Sequence, residues 1–234
     1  MKYLLIALIA FSFTSARAQT VINDKNVQQR DVSKFWGIKV SGGIDLYISQ
    51  SNDYALAVSA SEEKYLDEIV TTISDGILTI SQKNTGFRMS GDRKLRAYVS
   101  FKELESLEAT GASDIIINDE LKSNALRMKL SGASDIRGKI DIENLVMNIS
   151  GASTLKLNGH TTNLTLEASG ASDLKNYELS VDNCIAVVSG ASDIRLTINK
   201  SISAKASGAS TLYYKGQPQQ RNVESSGASS IAQR

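Results

Sequence analysis

The constraint that dominates this sequence is a hexapeptide that occurs seven times: TGASDI at residues 110–115, SGASDI at 131–136, SGASTL at 150–155, SGASDL at 169–174, SGASDI at 189–194, SGASTL at 207–212 and SGASSI at 226–231. Its glycines lie 21, 19, 19, 20, 18 and 19 residues apart, a mean period of about 19. A unit this short cannot bury its own apolar face, so the copies must stack on one another.

Between the motifs the apolar residues have period two. Six, four and two residues before each glycine stand Leu126, Met128 and Leu130, then Leu145, Met147 and Ile149, then Leu164, Leu166 and Ala168, then Cys184, Ala186 and Val188, then Ile202, Ala204 and Ala206. Alternation marks a strand with one buried face; a helix would need a period near 3.6, so helical solenoids are excluded. The alanine one residue after each glycine and the Ile or Leu four residues after it are expected to continue the inward set, with the chain turning at the glycine. A propeller blade needs ~40 residues, and the L-x-x-L-x-L-x-x-N signature of leucine-rich repeats is missing. The reading is an all-β, single-domain parallel β-helix with about 19 residues per coil and Gly-Ala-Ser corners. Coils rising ~4.8 Å turn each sequence position into a column of like residues. Parallel connections favour the right hand, so a right-handed helix is expected.

The tandem SGASDI corners, together with FWGIKVSGGIDLYI at residues 35–48, resemble the bacterial auto-transporter adhesin head, or GIN, domain family, common in Bacteroidetes. The resemblance spans residues 34–231 and implies a β-helical solenoid, an exported location and an adhesive role, with no catalytic residue to carry over. The same frame holds near its start: around Gly42, Trp36, Ile38 and Val40 take the three inward slots, Asp45 the slot three residues after the glycine and Leu46 the slot four after. Strands are expected at residues 55–60, 70–74, 77–82 and 95–101, with a helical turn at 62–69, as wider opening coils; residues 86–92 read as a loop. The expected organisation is a signal peptide at 1–18, a polar segment at 19–33 and a β-helix domain at 34–234, irregular over 34–107 and regular over 108–231.

The start of the chain carries Lys2, an apolar run over residues 3–13 and Ala16-Arg17-Ala18, the form a signal peptidase accepts, so cleavage after Ala18 and export to the periplasm or cell surface are expected. The run is too short for a bilayer span of ~20 residues, Gln19 offers no lipid attachment, and the polar stretch 225–234 predicts no barrel strands. Removing residues 1–18 leaves 24 basic and 25 acidic residues, a balance that argues against nucleic acid as a partner. One Cys and one His exclude a disulfide scaffold and a multi-Cys/His zinc site.

Among candidate sites, the Asp column is the sharpest: Asp114 and Asp135 fall on adjacent coils, as do Asp173 and Asp193, with Thr154 between the pairs and Thr211 and Ser230 after them. Stacked carboxylates can chelate calcium or act as an acid and nucleophile on a sugar. Their recurrence in one fixed corner favours turn chemistry instead, with side chains bonding local backbone N–H groups. His160, the one imidazole, is expected in an exposed corner loop, Cys184 buried in the inward column, and Trp36 plugging the start of the core. Tyr213 and Tyr214 are candidate carbohydrate contacts. In the last coil Arg221, Val223 and Ser225 replace aliphatics and Pro218 precedes them, a cap that limits edge pairing or else a partner surface. A non-repeating cleft, if one exists, is expected around residues 88–96. The expected function is therefore non-enzymatic: an exported β-helix, without cofactor, for adhesion, envelope interaction or structure, its partner a glycan or envelope protein and self-association left open. The rivals are a polysaccharide-active enzyme and a calcium-stabilised solenoid.

Overall fold

The computed structural model describes residue 24 and residues 26–83 and 93–234; the expected signal peptide and the loop at 86–92 lie outside the described residues. Ahead of the regular repeats come β1 (Val27–Arg30), β2 (Gly37–Ser41), β3 (Asp45–Gln50), β4 (Ala55–Ser59), a 3-10 helix (Glu63–Glu68), β5 (Ile69–Ser74), β6 (Ile77–Gln82), β7 (Arg96–Phe101) and β8 (Ser106–Thr110). Five long strands follow, each nearly a whole coil: β9 (Ile115–Leu130), β10 (Ile136–Ile149), β11 (Thr154–Ala168), β12 (Asp173–Val188) and β13 (Asp193–Ala206). The last turn is divided into β14 (Thr211–Lys215), β15 (Gln220–Ser225) and β16 (Ser230–Gln233). The result is a single-domain β-solenoid of about 7 turns, about 19 residues apart.

The period-two pattern sets the faces as expected: Leu126, Met128 and Leu130 are buried, Lys129 between them is exposed, and Leu130 stacks on Ile149. Unequal glycine spacings are absorbed between the corners. β9 and β10 lose register by two residues between Arg137 and Lys139, matching the first interval's excess of 21 over 19. β10 and β11, from equal intervals, stay in register throughout.

At the five corners from Gly132 to Gly208 the glycine is required twice over. Gly151 has φ +78°, and a Cβ built on it would lie 2.3 Å from the Gly132 carbonyl oxygen of the coil below. The close approach lets the next N–H reach down: Ala152 N donates to Gly132 O at 2.7 Å and Ala171 N to Gly151 O at 2.8 Å. The expected inward alanine is here corrected. Ala112, Ala133, Ala152 and their equivalents are exposed, and the serine that follows is buried at every corner but the last, where Ser229 is half-buried. Its hydroxyl closes the turn, Ser153 Oγ donating to Ser150 O at 3.1 Å and Ser172 Oγ to Ser169 O at 2.7 Å, so the buried hydroxyl is satisfied.

A second ladder stands seven residues before Gly151, Gly170, Gly190 and Gly208. Asn144 Oδ1 accepts from Asn163 Nδ2 at 2.9 Å, Asn163 Oδ1 accepts from Asn183 Nδ2 at 3.0 Å, and Asn183 Oδ1 accepts from Ser201 Oγ at 2.9 Å.

The strands and 3-10 turn before the repeats occur where expected, but not simply as opening coils. β2 lies between β6 and β8, and β3 between β7 and β9. The Gly42 turn is therefore a coil inserted between a turn built from later residues and the first repeat. Beyond it the stack changes to antiparallel pairing, β5 with β6 and β4 with both β7 and β1. Trp36 is corrected as well: it is 42% exposed, and Phe35 is the aromatic in the core. β2 begins only at Gly37, so the alternation does not reach Trp36, whose indole Nε1 donates to Asp75 O at 3.0 Å across the β5–β6 hairpin. At the other end β15 pairs only with β13 and is exposed throughout, Val223 included, while Pro218 is buried in the turn before it.

Candidate functional site

A strand leaving the corner presents the residues three and five after the glycine on one outer face, either side of the inward residue at four. Stacking in register makes two columns of them. The first runs Arg96, Asp45, Asp114, Asp135, Thr154, Asp173, Asp193, Thr211, Ser230, and the second Tyr98, Tyr47, Ile116, Arg137, Lys156, Lys175, Arg195, Tyr213.

The Asp column is brought together as the sequence predicts, but its bonds are not local turn bonds. Asp135 Oδ1 accepts from Thr154 N on the next coil at 3.0 Å, Asp173 receives Lys175 Nζ at 2.7 Å, and Asp193 receives Arg195 Nη2 at 3.0 Å and Thr211 Oγ1 at 3.1 Å. The turn chemistry belongs to the buried serines. Burial and the neighbouring Asp114 charge raise the Asp45 carboxyl above its usual range, against the pull of Arg96 and Arg137. Among the described residues no three His, Cys, Asp or Glu side chains gather as a metal-ligand set.

His160 is in β11 rather than a corner loop, half-exposed between two carboxylates, with Nε2 3.5 Å from Asp182 Oδ1 and Nδ1 4.0 Å from Asp141 Oδ1. Hydrogen bonds from Lys200 and Asn199, with a smaller one from His160, bring the Asp182 carboxyl down to about 2. An imidazole flanked by acids on both sides is not arranged as a triad, which needs a nucleophile on one side. Cys184 is buried as expected, and burial pushes its thiol up to about 12, which keeps it protonated and inert. Tyr214 belongs to the core and is withdrawn as a carbohydrate contact; Tyr213 stays half-exposed with the Arg234 guanidinium over its ring at 4.4 Å. Of the region expected to hold a cleft, residues 88–92 lie outside the described residues. Arg93 binds Glu68 at 2.5 Å and Arg96 binds Asp24 at 2.8 Å, with Tyr98 and Ser59 on the same carboxylate. The Asp24 contacts hold the residue just ahead of β1 against β4 and β7.

The second column is what sequence reasoning missed. Arg137, Lys156, Lys175 and Arg195 put four cations on consecutive rungs, and three of them line an open trough of about 620 Å3 with Ile116, Asn118, Asn158 and one acidic residue, Glu178. Asn158 Oδ1 is buried without a donor among the described residues. Aligning the repeats at the position five after the glycine would have exposed this run.

Comparison with known proteins follows the same outline. Residues 34–218 match the family described as "Putative auto-transporter adhesin, head GIN domain". Among solved structures, a "putative adhesin" from Bacteroides fragilis is similar at 21% identity with TM-score 0.81, covering 89% of this chain and 96% of that one. A "putative lipid binding protein" from Parabacteroides distasonis is similar at 18% identity and TM-score 0.66, with coverage of 89% and 96%. A "putative adhesin" from Parabacteroides merdae is similar at 18% and 0.65, with coverage of 89% and 95%. At these identities the likeness concerns the fold. No curated protein matches the chain.

Proposed function

Since the chain belongs to the head GIN domain family, we propose that it is a non-enzymatic binding module that works outside the cytoplasm. In this reading the segment 1–18 directs export and is removed after Ala18, and the mature solenoid engages a glycan or an envelope protein through its long outer faces. The observation that carries it is repetition. The side chains with chemistry, Asp114, Asp135, Asp173 and Asp193, stand at one equivalent position of their coils, in two adjacent pairs separated by Thr154. A catalytic site uses one local set of unlike groups held in different environments. A repeated column instead presents the same group at a fixed pitch, which suits many weak contacts along an extended partner. Among the described residues no helix is long and apolar enough to cross a membrane.

The test replaces Asp114, Asp135, Asp173 and Asp193 together by Asn, which keeps an acceptor for the Thr154 and Thr211 contacts but cannot supply an ionised carboxylate. Purified parent and variant are then compared for capture of glycan and envelope fractions, for glycan turnover and by circular dichroism. Capture by the parent with no turnover is the expected result. Turnover by the parent that disappears in a well-folded variant would establish an enzyme instead. A calcium-dependent rise in melting temperature lost in the variant would establish an ion site.

A further inference from the structure

The cation column differs from the charged rungs of the far face. On the far face the rungs alternate in sign: Lys39 and Lys129, from the coils on either side, both reach Glu108, at 3.3 and 3.6 Å, and Lys205 meets Glu224 at 3.0 Å. Like charges on adjacent strands destabilise a sheet, so four cations in a row are not what packing alone would select. Two of the four are neutralised within their own strands, Lys175 by Asp173 and Arg195 by Asp193. Arg137 and Lys156 make no ion pair among the described residues. Thr154 stands where Lys156 would need an aspartate, and Asp135 Oδ1 already accepts from the Thr154 N–H. These two cations line the trough.

Taking the chain to be a binding module, we infer that this trough holds an acidic polysaccharide laid along the solenoid axis. Arg137 and Lys156 stand unpaired on consecutive rungs ~4.8 Å apart, with the paired Lys175 and Arg195 continuing the row, and a row of cations along the axis is complementary to acidic groups spaced along a linear polymer. The trough is open, so a long polymer enters sideways with no need for a chain end. The neighbouring column narrows the chemistry. The carboxylates of Asp114 and Asp135 accept hydrogen bonds and donate none, and they repel a backbone that offers only anionic oxygens. A polymer that carries hydroxyls as well as acidic groups satisfies both columns. Ile116, on the rung before Arg137, adds apolar surface for the C–H face of a sugar ring.

The test measures binding of purified protein to polygalacturonate, alginate and chondroitin sulfate, with dextran as the uncharged polysaccharide and polyphosphate as the polyanion without hydroxyls. Binding to at least one acidic glycan is expected, weakening with added salt, and absent for dextran. In Arg137→Gln/Lys156→Gln it should fall roughly tenfold or more. The opposite-face variant Lys39→Gln/Lys129→Gln should bind as the parent does, each variant checked by its melting curve. Polyphosphate binding as tight as the glycan, equal binding by the Arg137/Lys156 variant, or binding of dextran would overturn the inference. So would failure of all three acidic glycans. If envelope fractions were still captured in that last case, the binding-module reading would survive and only the ligand class would fall.

Discussion

Gly43 and Gly151 both have a left-handed backbone, with φ +71° and +78°, but only one of them touches anything. Among the described residues a Cβ on Gly43 would meet no atom within 4 Å, whereas one on Gly151 would strike the Gly132 carbonyl at 2.3 Å. The two requirements for glycine, conformation and close approach, are thus separable within one protein. Gly43→Ala should cost about 1 kcal/mol, the strain of a left-handed L-residue alone. Gly151→Ala must in addition push two coils apart where Ala152 N bonds Gly132 O, and should cost about 3 kcal/mol or more. Denaturant midpoints of the two variants check this, and equal losses would mean that the corner stack contributes nothing.

At the level of the element, the coil is held together by three devices: the inward alternation, the corner, and the asparagine ladder at its far bend. Asn163 is the middle of that ladder, donating to Asn144 and accepting from Asn183. Asn163→Ala therefore strands two amide partners and should cost about 1 kcal/mol at this exposed edge, while Asn148→Ala, which breaks no ladder, should cost less than about 0.5 kcal/mol by the same denaturant measurement. The alternation was legible in the sequence because burying one face forces period two, so Leu130 and Lys129 could be assigned to opposite faces directly. The ladder was equally regular but went unread, because one polar residue per coil does not stand out until the repeats are aligned. The cations at 137, 156, 175 and 195 escaped for the same reason, although the Asp column two residues earlier was seen. Coil order was beyond the sequence. Parallel pairing of β2 with β6 and β8 leaves no mark in local pattern, since either neighbour would bury Ile38 and Val40 equally well. The β5–β6 hairpin did leave one, Asp75-Gly76 between alternating runs with both residues at positive φ, and it should have been read as a two-residue turn.

For the whole molecule, stability in a stack is a sum of coil and interface contributions, so an entire coil should be removable if its neighbours still match. β10 and β11 keep register throughout, which makes residues 151–169 a unit that can be excised with Ser150 joined to Gly170. Every inward column then closes over the gap, and Asn183 falls beside Asn144. The outer face does not close so quietly. Thr154 leaves with the coil, and Asp45, Asp114, Asp135, Asp173 and Asp193 become an unbroken run of carboxylates. The excised protein should fold, with a melting temperature lower by on the order of 5 °C, and part of that loss should disappear as salt screens the run over a Debye length of about 10 Å at 0.1 M. Adding Asp173→Thr to the deletion restores the spacer and should recover the salt-sensitive part at low ionic strength. Excising residues 148–167 instead joins Met147 to Ala168, two inward residues with no outward one between them, and should fail to give a cooperative melt. Thermal unfolding of the three proteins at low and high salt decides the matter: a 148–167 deletion as stable as the 151–169 deletion would refute the column register, and a salt-independent loss would show that the spacer at Thr154 has no electrostatic role.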